Sequence, residues 1–305
     1  MDKASIIKRA LELGFSRCGF ARCEPLEEIR GFYSDFVTEK RFAGMQYMER
    51  YAPQRLDPDL VMPGAKTVIS VAMNYFPPVL IPDEDNYIIA KYAYGRDYHH
   101  LMREGLDSLS GFIRTLNPAV RLRAFVDSGP ILEKAWAQRC GIGWQGKNTL
   151  VINKSDGSFF FIGILLTDQE IEPDEPETEH CGDCDRCLRA CPAGALDVPW
   201  QLDIPRCISY LTIESRAEVP EDLKNRLGDR IYGCDICQDV CPYNRFARAH
   251  DVTTFLPKEE LLKMRRKDWI SLTETEFVSL FDGTPVKRVG YNRFMQNIKA
   301  NQTPS

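Results

Sequence analysis

Between residues 180 and 196 the chain reads HCGDCDRCLRACPAGAL. Cys181, Cys184, Cys187 and Cys191 follow Cys-x2-Cys-x2-Cys-x3-Cys-Pro. Two-residue gaps let three thiolates wrap one corner of a cubane iron–sulfur cluster, and the longer gap sends the fourth to a second cluster. That second cluster has its own ligands. Cys234, Cys237 and Cys241 repeat the run with one member missing, Pro242 follows, and Cys207 makes up the count. The eight cysteines thus suit two 4Fe–4S clusters. By the crossing rule of two-cluster ferredoxins, Cys181, Cys184 and Cys187 pair with Cys241, while Cys191, Cys207, Cys234 and Cys237 hold the other. Structural zinc prefers two ligand pairs, usually without such prolines, and is disfavoured. Cys18, Cys23 and Cys140 lie outside any such spacing and are read as structural.

The rest of the chain must position these clusters and use their electrons. Its 305 residues suffice for one large domain or two modest ones. No run of about 18 apolar residues appears, so no membrane span is expected. The N-terminus MDKASIIKRALELGF lacks the unbroken apolar core of a signal peptide. A cytoplasmic protein is therefore expected, and in that compartment eleven cysteines point to metal or redox chemistry, not crosslinks. A net charge of −5 argues weakly against nucleic acid as a partner. Local basic surface exists nonetheless, in KMRRKDW at 263–269 and at Lys287-Arg288.

Helical spacing covers 3–13, 26–51 and about 99–116. TVISVAMN (67–74) and RLRAFVD (121–127) read as strands, and ILEKAWAQRCG as a helix with Pro130 in its first turn and Gly141 at its end. TLVIN (149–153) and SFFFIGILLT (158–167) flank a Lys-Ser-Asp-Gly turn and read as a hairpin. The expected fold is α/β (α+β), a mixed-sheet domain over 1–167 joined to a bacterial ferredoxin-like two-cluster domain over 180–250. The acidic stretch 168–179 is the expected linker, and 251–305 a helical C-terminal segment. The first domain has no GxGxxG fingerprint and no P-loop, so its cofactor is one without a short local signature.

DSGPILEKAWAQRCGIGWQGKNTLVI (127–152), the first cysteine run, CISYLTIE (207–214) and GCDICQDVCPYN (233–244) together resemble the epoxyqueuosine reductases. RYAPQRLDP (50–58) and YAYGRDYHH (92–100) fit the same resemblance, which covers nearly the whole chain. It implies a cobalamin-dependent iron–sulfur oxidoreductase that reduces epoxyqueuosine at the wobble position of tRNA to queuosine, the last step of queuosine biosynthesis. Many members continue with a HEAT-like repeat that helps hold tRNA, and Ser305 comes too soon here for a stack of such repeats. The competing readings are a corrinoid reductive dehalogenase, which would typically carry a twin-arginine signal, and a non-catalytic ferredoxin-type electron carrier.

The resemblance also implies roles. Asp127 becomes the proton donor to the epoxide oxygen and a neighbour of cobalamin, provided burial outweighs the pull of a helix N-terminus on its carboxylate. Arg55 is assigned to an anionic or amide group of the cofactor. Lys147, Asn148 and Ile152 would line the corrinoid pocket. Ser209, Cys234 and Asp235 would face the corrin where the second cluster approaches it. Arg216, Arg265 and Arg266 are candidates for tRNA contact, a solvated helix face explaining the basic run equally well. Tyr98, His99 and Trp144 suit either stacking on a base or corrin, or core packing. Electrons would come from an unidentified low-potential donor, and the protein is expected to be a monomer.

Overall fold

The computed structural model describes residues 2–302. Its first part runs α1 (Lys3–Glu12), β1 (Arg17–Arg22), α2 (Glu27–Thr38), α3 (Tyr47–Arg50), α4 (Ala52–Leu56), β2 (Thr67–Asn74) and β3 (Ile88–Ile89). It continues through α5 (Tyr98–Leu116), β4 (Leu122–Phe125), α6 (Glu133–Arg139), β5 (Trp144–Gln145), β6 (Val151–Ile152) and β7 (Phe160–Thr167). Four strands form one sheet in the order β1-β2-β7-β4, every neighbouring pair antiparallel. Alternation along β2 sends Ile69, Val71 and Met73 into a core with α1 and α5, and Val68 and Ala72 into one with α2, α4 and α6. The sheet is therefore sandwiched between two helical layers.

The expected strand at 67–74 and helix near 99–116 form with almost those bounds. The helix expected over 26–51 breaks after Thr38, because Lys40 and Ala43 turn left-handed and Phe42 folds inward against Phe36. The expected hairpin does not pair. β6 joins β5 instead, and the turn keeps a single bridge from Asn153 to Gly157. β7 is apolar on both faces and takes the sheet interior between β2 and β4, where both faces are covered. Strand β1 was not foreseen. Its Gly19 lies where a Cβ would come within 2.0 Å of the Cys140 carbonyl oxygen, so the end of α6 packs directly on strand backbone.

The acidic stretch 168–179 lies along the first part. Asp168 pairs with Arg121 at 3.0 Å, and Asp174 pairs with Lys3 while accepting from the Phe20 amide. Beyond it come α7 (Arg186–Ala190), α8 (Ile208–Ile213), α9 (Glu221–Lys224), β8 (Arg230–Tyr232) and α10 (Ile236–Asp239). The tail holds α11 (Glu259–Lys263), α12 (Arg266–Ile270), α13 (Glu274–Phe281) and α14 (Tyr291–Ala300). β3 pairs in parallel with β8, the one parallel ladder among the described residues. One apolar core joins Tyr87, Ile89 and Tyr94 to Ile231, Trp269, Phe281 and Phe294, so the tail packs on both earlier parts. Among the described residues no helix is long and apolar enough to cross a membrane.

Candidate active site

Short helices separated by turns bring the cysteines together. Cys181, Cys184, Cys187 and Cys241 line one cavity of about 310 Å³, Cys187 from α7 and Cys241 just after α10. Burial pushes the Cys187 thiol up to about 11, and the next contributions are the charges of Cys181 and Cys241. Cys237 belongs to a second neighbourhood. Burial raises its thiol most, followed by the charges of Cys234 and Cys207. Cys207 in turn feels Cys191. Among the described residues no three His, Cys, Asp or Glu side chains close on a single ion. Thiols spread around a cavity suit a multi-iron cluster.

Trp144 is fully buried and donates its indole N–H to Cys181 Sγ at 3.5 Å, with its ring edge-on to His180 and Tyr243. It packs in a small core with Ile152 and Cys241, behind residues that line the first cavity. Lys147, Asn148 and Ile152 line the same cavity. The Lys147 ammonium donates to the Gly182 carbonyl, and Asn148 Nδ2 to the Cys237 carbonyl at 3.2 Å. These side chains meet the cysteine region, and the next residue, Thr149, meets Lys134. Asp235 is buried, accepts from the Lys91 amide at 2.8 Å and lies 3.6 Å from the Lys91 ammonium, fastening α10 to the segment after β3. Cys234 packs beside the core that holds Ile208 and Leu211, and Ser209 is half-buried on α8.

Asp127 sits in the loop between β4 and α6, with φ of +56°, a left-handed conformation that costs a non-glycine residue energy. Its Oδ2 lies 3.2 Å from His99 Nε2. His99 Nδ1 lies 2.7 Å from Asp97 Oδ1, and Asp97 also caps α5 by accepting from the His99 amide. Burial alone would lower the His99 pKa. The hydrogen bonds and charges of Asp127 and Asp97 reverse that and push it up to about 9. Asp127 moves down, chiefly through the His99 hydrogen bond, with burial opposing. With its side chain open on one side, Asp127 is held towards the carboxylate by the His99 charge. Helix α6 does not open at Pro130. It begins at Glu133, and the Asp127 amide donates to Glu133 Oε1 at 2.6 Å. Burial raises Glu133 to about 8, with the Asp127 charge adding to it.

This constellation reaches the second thiol group through Lys134. Burial lowers its ammonium pKa, opposed first by the charges of Cys237 and Cys207 and then by Glu133 and Asp127. Its Nζ donates to the Thr149 carbonyl at 3.1 Å. Arg288, paired with Glu214, adds positive charge that Asp127 senses. Arg55 is only 6% exposed, its Nε has no partner, and its Nη1 reaches only the Ile131 carbonyl at 3.5 Å. Tyr98 stacks on Phe161 at 4.0 Å and on His99 at 4.2 Å, so it packs the core and orients the imidazole.

The basic candidates divide. Arg266 forks onto Asp229 at 2.8 Å and lies 4.5 Å over the Tyr87 ring, which ties it into the fold and takes it away from any phosphate. Arg265 and Arg216 are exposed, with no ion pair among the described residues. The residues that sequence reasoning underrated are Asp97, Glu133 and Lys134. The available signal was Asp97 two places before His99 at a helix start.

Two neighbouring thiol groups, with Lys134 near the second and the hydrogen-bonded Asp127–His99 pair beyond it, suit an iron–sulfur oxidoreductase. Family models match residues 55–128 as "Epoxyqueuosine reductase QueG, DUF1730" and residues 180–244 as "4Fe-4S double cluster binding domain". The epoxyqueuosine reductase of Cellulophaga algicola is 42% identical over 289 residues, 95% of this chain and 94% of that one. An epoxyqueuosine reductase solved with a tRNA-Tyr epoxyqueuosine-modified stem loop superposes with a TM-score of 0.89 at 30% identity, covering 98% of this chain and 80% of that one. The Bacillus subtilis enzyme, solved with its catalytic aspartate loop swung out of the active site, gives 0.90 at 29% identity over the same shares. The catabolic reductive dehalogenase NpRdhA shares the fold at 14% identity, with a TM-score of 0.52 over 97% of this chain and 35% of that one. The chain belongs to the epoxyqueuosine reductase family.

Proposed function

We propose that this protein reduces epoxyqueuosine at the wobble position of tRNA to queuosine, with cobalamin in the first part of the chain and two 4Fe–4S clusters in the 180–250 region. The observation that carries the reading is the Asp127–His99 pair, joined through Lys134 to the second thiol group. The reaction takes up two electrons and two protons, opens the epoxide to an alkene and releases water. The clusters, when bound, pass single electrons. Cobalamin, when bound, supplies the reducing cobalt centre.

The residues present fit a corrinoid. Arg55 is a buried guanidinium with an unpaired Nε and no ion pair among the described residues, and the amide or phosphate oxygens of cobalamin would satisfy it. Ser209 and Cys234 would lie on the side where the second cluster approaches the corrin. The cluster partition is Cys181, Cys184, Cys187 and Cys241 for one, and Cys191, Cys207, Cys234 and Cys237 for the other. At neutral pH the pair holds one proton, formally on His99, with Asp127 as the carboxylate that receives it and presents it to the epoxide oxygen. Asp97 anchors the far side of the imidazole. Arg216 and Arg265 are free to meet tRNA phosphates.

Asp127→Asn tests the reading. The variant is expected to bind cobalamin, keep both clusters and reduce normally, while single turnover of an epoxyqueuosine stem loop falls by roughly 10²-fold or more. A near-normal rate would remove Asp127 from proton delivery and leave it a structural residue of its loop.

A further inference from the structure

The order of the sites raises a question about where electrons enter. Lys134 donates to the Thr149 carbonyl at 3.1 Å and the adjacent Asn148 donates to the Cys237 carbonyl at 3.2 Å, so the second thiol group lies next to Lys134 and the α6 side of the site. Asn148 also lines the first cavity, and α7, which carries Cys187, packs on α10, which carries Cys237, so the first group adjoins the second. The first group is also the one with an open mouth. Its cavity is rimmed by Arg186, Arg245 and Phe246, all three exposed. Neither arginine forms an ion pair among the described residues, and Arg245 lies 4.6 Å over the Phe246 ring. No carboxylate is among the lining side chains, and the two that touch lining residues, Glu177 and Glu179, are held by His180 and the Cys181 amide. Arg186 and Arg245 are thus fixed positive charges around an exposed aromatic, at the end of the path farthest from the substrate.

We propose that this rim is the docking surface for an acidic protein that carries single electrons, and that the cluster of Cys181, Cys184, Cys187 and Cys241 is the entry point. The inference rests on the two-cluster reading above. Two unpaired arginines would steer an acidic partner, and the Phe246 ring would give it an apolar contact beside the cluster. One electron passes per encounter, from the reduced carrier to the cluster. The oxidised carrier leaves, and a second encounter supplies the other electron of the two-electron reduction.

Stopped-flow bleaching of the reconstituted clusters tests this, with flavodoxin hydroquinone as the acidic one-electron probe and dithionite as the small-molecule control. The double variant R186E/R245E is expected to slow reduction by flavodoxin on the order of tenfold, and the wild-type rate should fall steeply with salt. Dithionite reduction and iron content should be unchanged. R245E alone, farther from a cluster ligand, should give an intermediate effect. Equal flavodoxin rates in wild type and variants would overturn the proposal, as would a variant whose only defect is weaker binding of a tRNA stem loop. Failure of dithionite to bleach wild-type clusters would instead strike the two-cluster reading.

Discussion

Asp97→Asn keeps the cap on α5, because Asn caps nearly as well as Asp, yet removes one of two charges that hold a proton on His99. The His99 pKa stands at about 9 against an ordinary 6.5, a coupling of about 3 kcal/mol at 1.36 kcal/mol per unit. Burial works against that value, so the two carboxylates together contribute more than the net figure. The Asp97 side chain is 27% exposed and that of Asp127 is 59%, so solvent screens Asp127 more and Asp97 holds at least an equal share. Removing it should lower the His99 pKa by more than about one unit, to about 7.5. Single-turnover rates on pre-reduced protein should show the difference as an alkaline limb, half-fallen near pH 9 in the wild type and more than a unit lower in the variant. Stability moves with the same sign. A raised histidine pKa stabilises the fold fully below about 6.5, and that stabilisation disappears as pH rises through about 9. The stability deficit of the variant should thus be largest between about pH 4 and 6.5, shrink in stronger acid as Asp97, held below its usual 3.8, becomes protonated in the wild type, and vanish above pH 9. Coincident alkaline limbs in the two proteins would refute the reasoning and place the transferable proton elsewhere.

Cys187→Ala and Cys207→Ala should each lose one cluster, and electron paramagnetic resonance should show that they lose different ones. Loss of the same cluster in both would break the ligand partition. Arg266→Ala should cost about 1 kcal/mol in urea denaturation, because it removes a fork to Asp229 and a ring contact with Tyr87, while Arg265→Ala should cost nothing measurable. Gly19→Ala should cost more than about 3 kcal/mol or abolish folding, since its Cβ would meet the Cys140 carbonyl at 2.0 Å. A stable Gly19→Ala variant would show that β1 and α6 are not packed backbone to backbone.

Local chemistry in the chain was legible where spacing alone carries meaning. The cysteine runs announced two clusters because ligand spacing is a local property, and the 4Fe–4S double cluster match covers that stretch. Strand β2 and helix α5 were legible for the same reason, the one a short β-branched apolar run bounded by prolines, the other a segment of helical spacing. Partner choice was not local. Nothing in Thr149–Asn153 says that Val151 and Ile152 pair with Trp144 and Gln145, leaving β7 for the centre of the sheet. The pairing of Asp127 with His99 was not legible, because His99 lies 28 positions away and is itself held by Asp97. Arg266 read as a basic surface residue until Asp229 and Tyr87 were beside it.

The most direct measurement is anaerobic incubation of the purified protein, reconstituted with iron, sulfide and cobalamin, with epoxyqueuosine-containing tRNA and a low-potential reductant, followed by nucleoside mass spectrometry. The account predicts conversion to queuosine, a nucleoside lighter by one oxygen atom, dependent on cobalamin and lost with Asp127→Asn. Persistence of epoxyqueuosine with both clusters intact and cobalamin bound would contradict it.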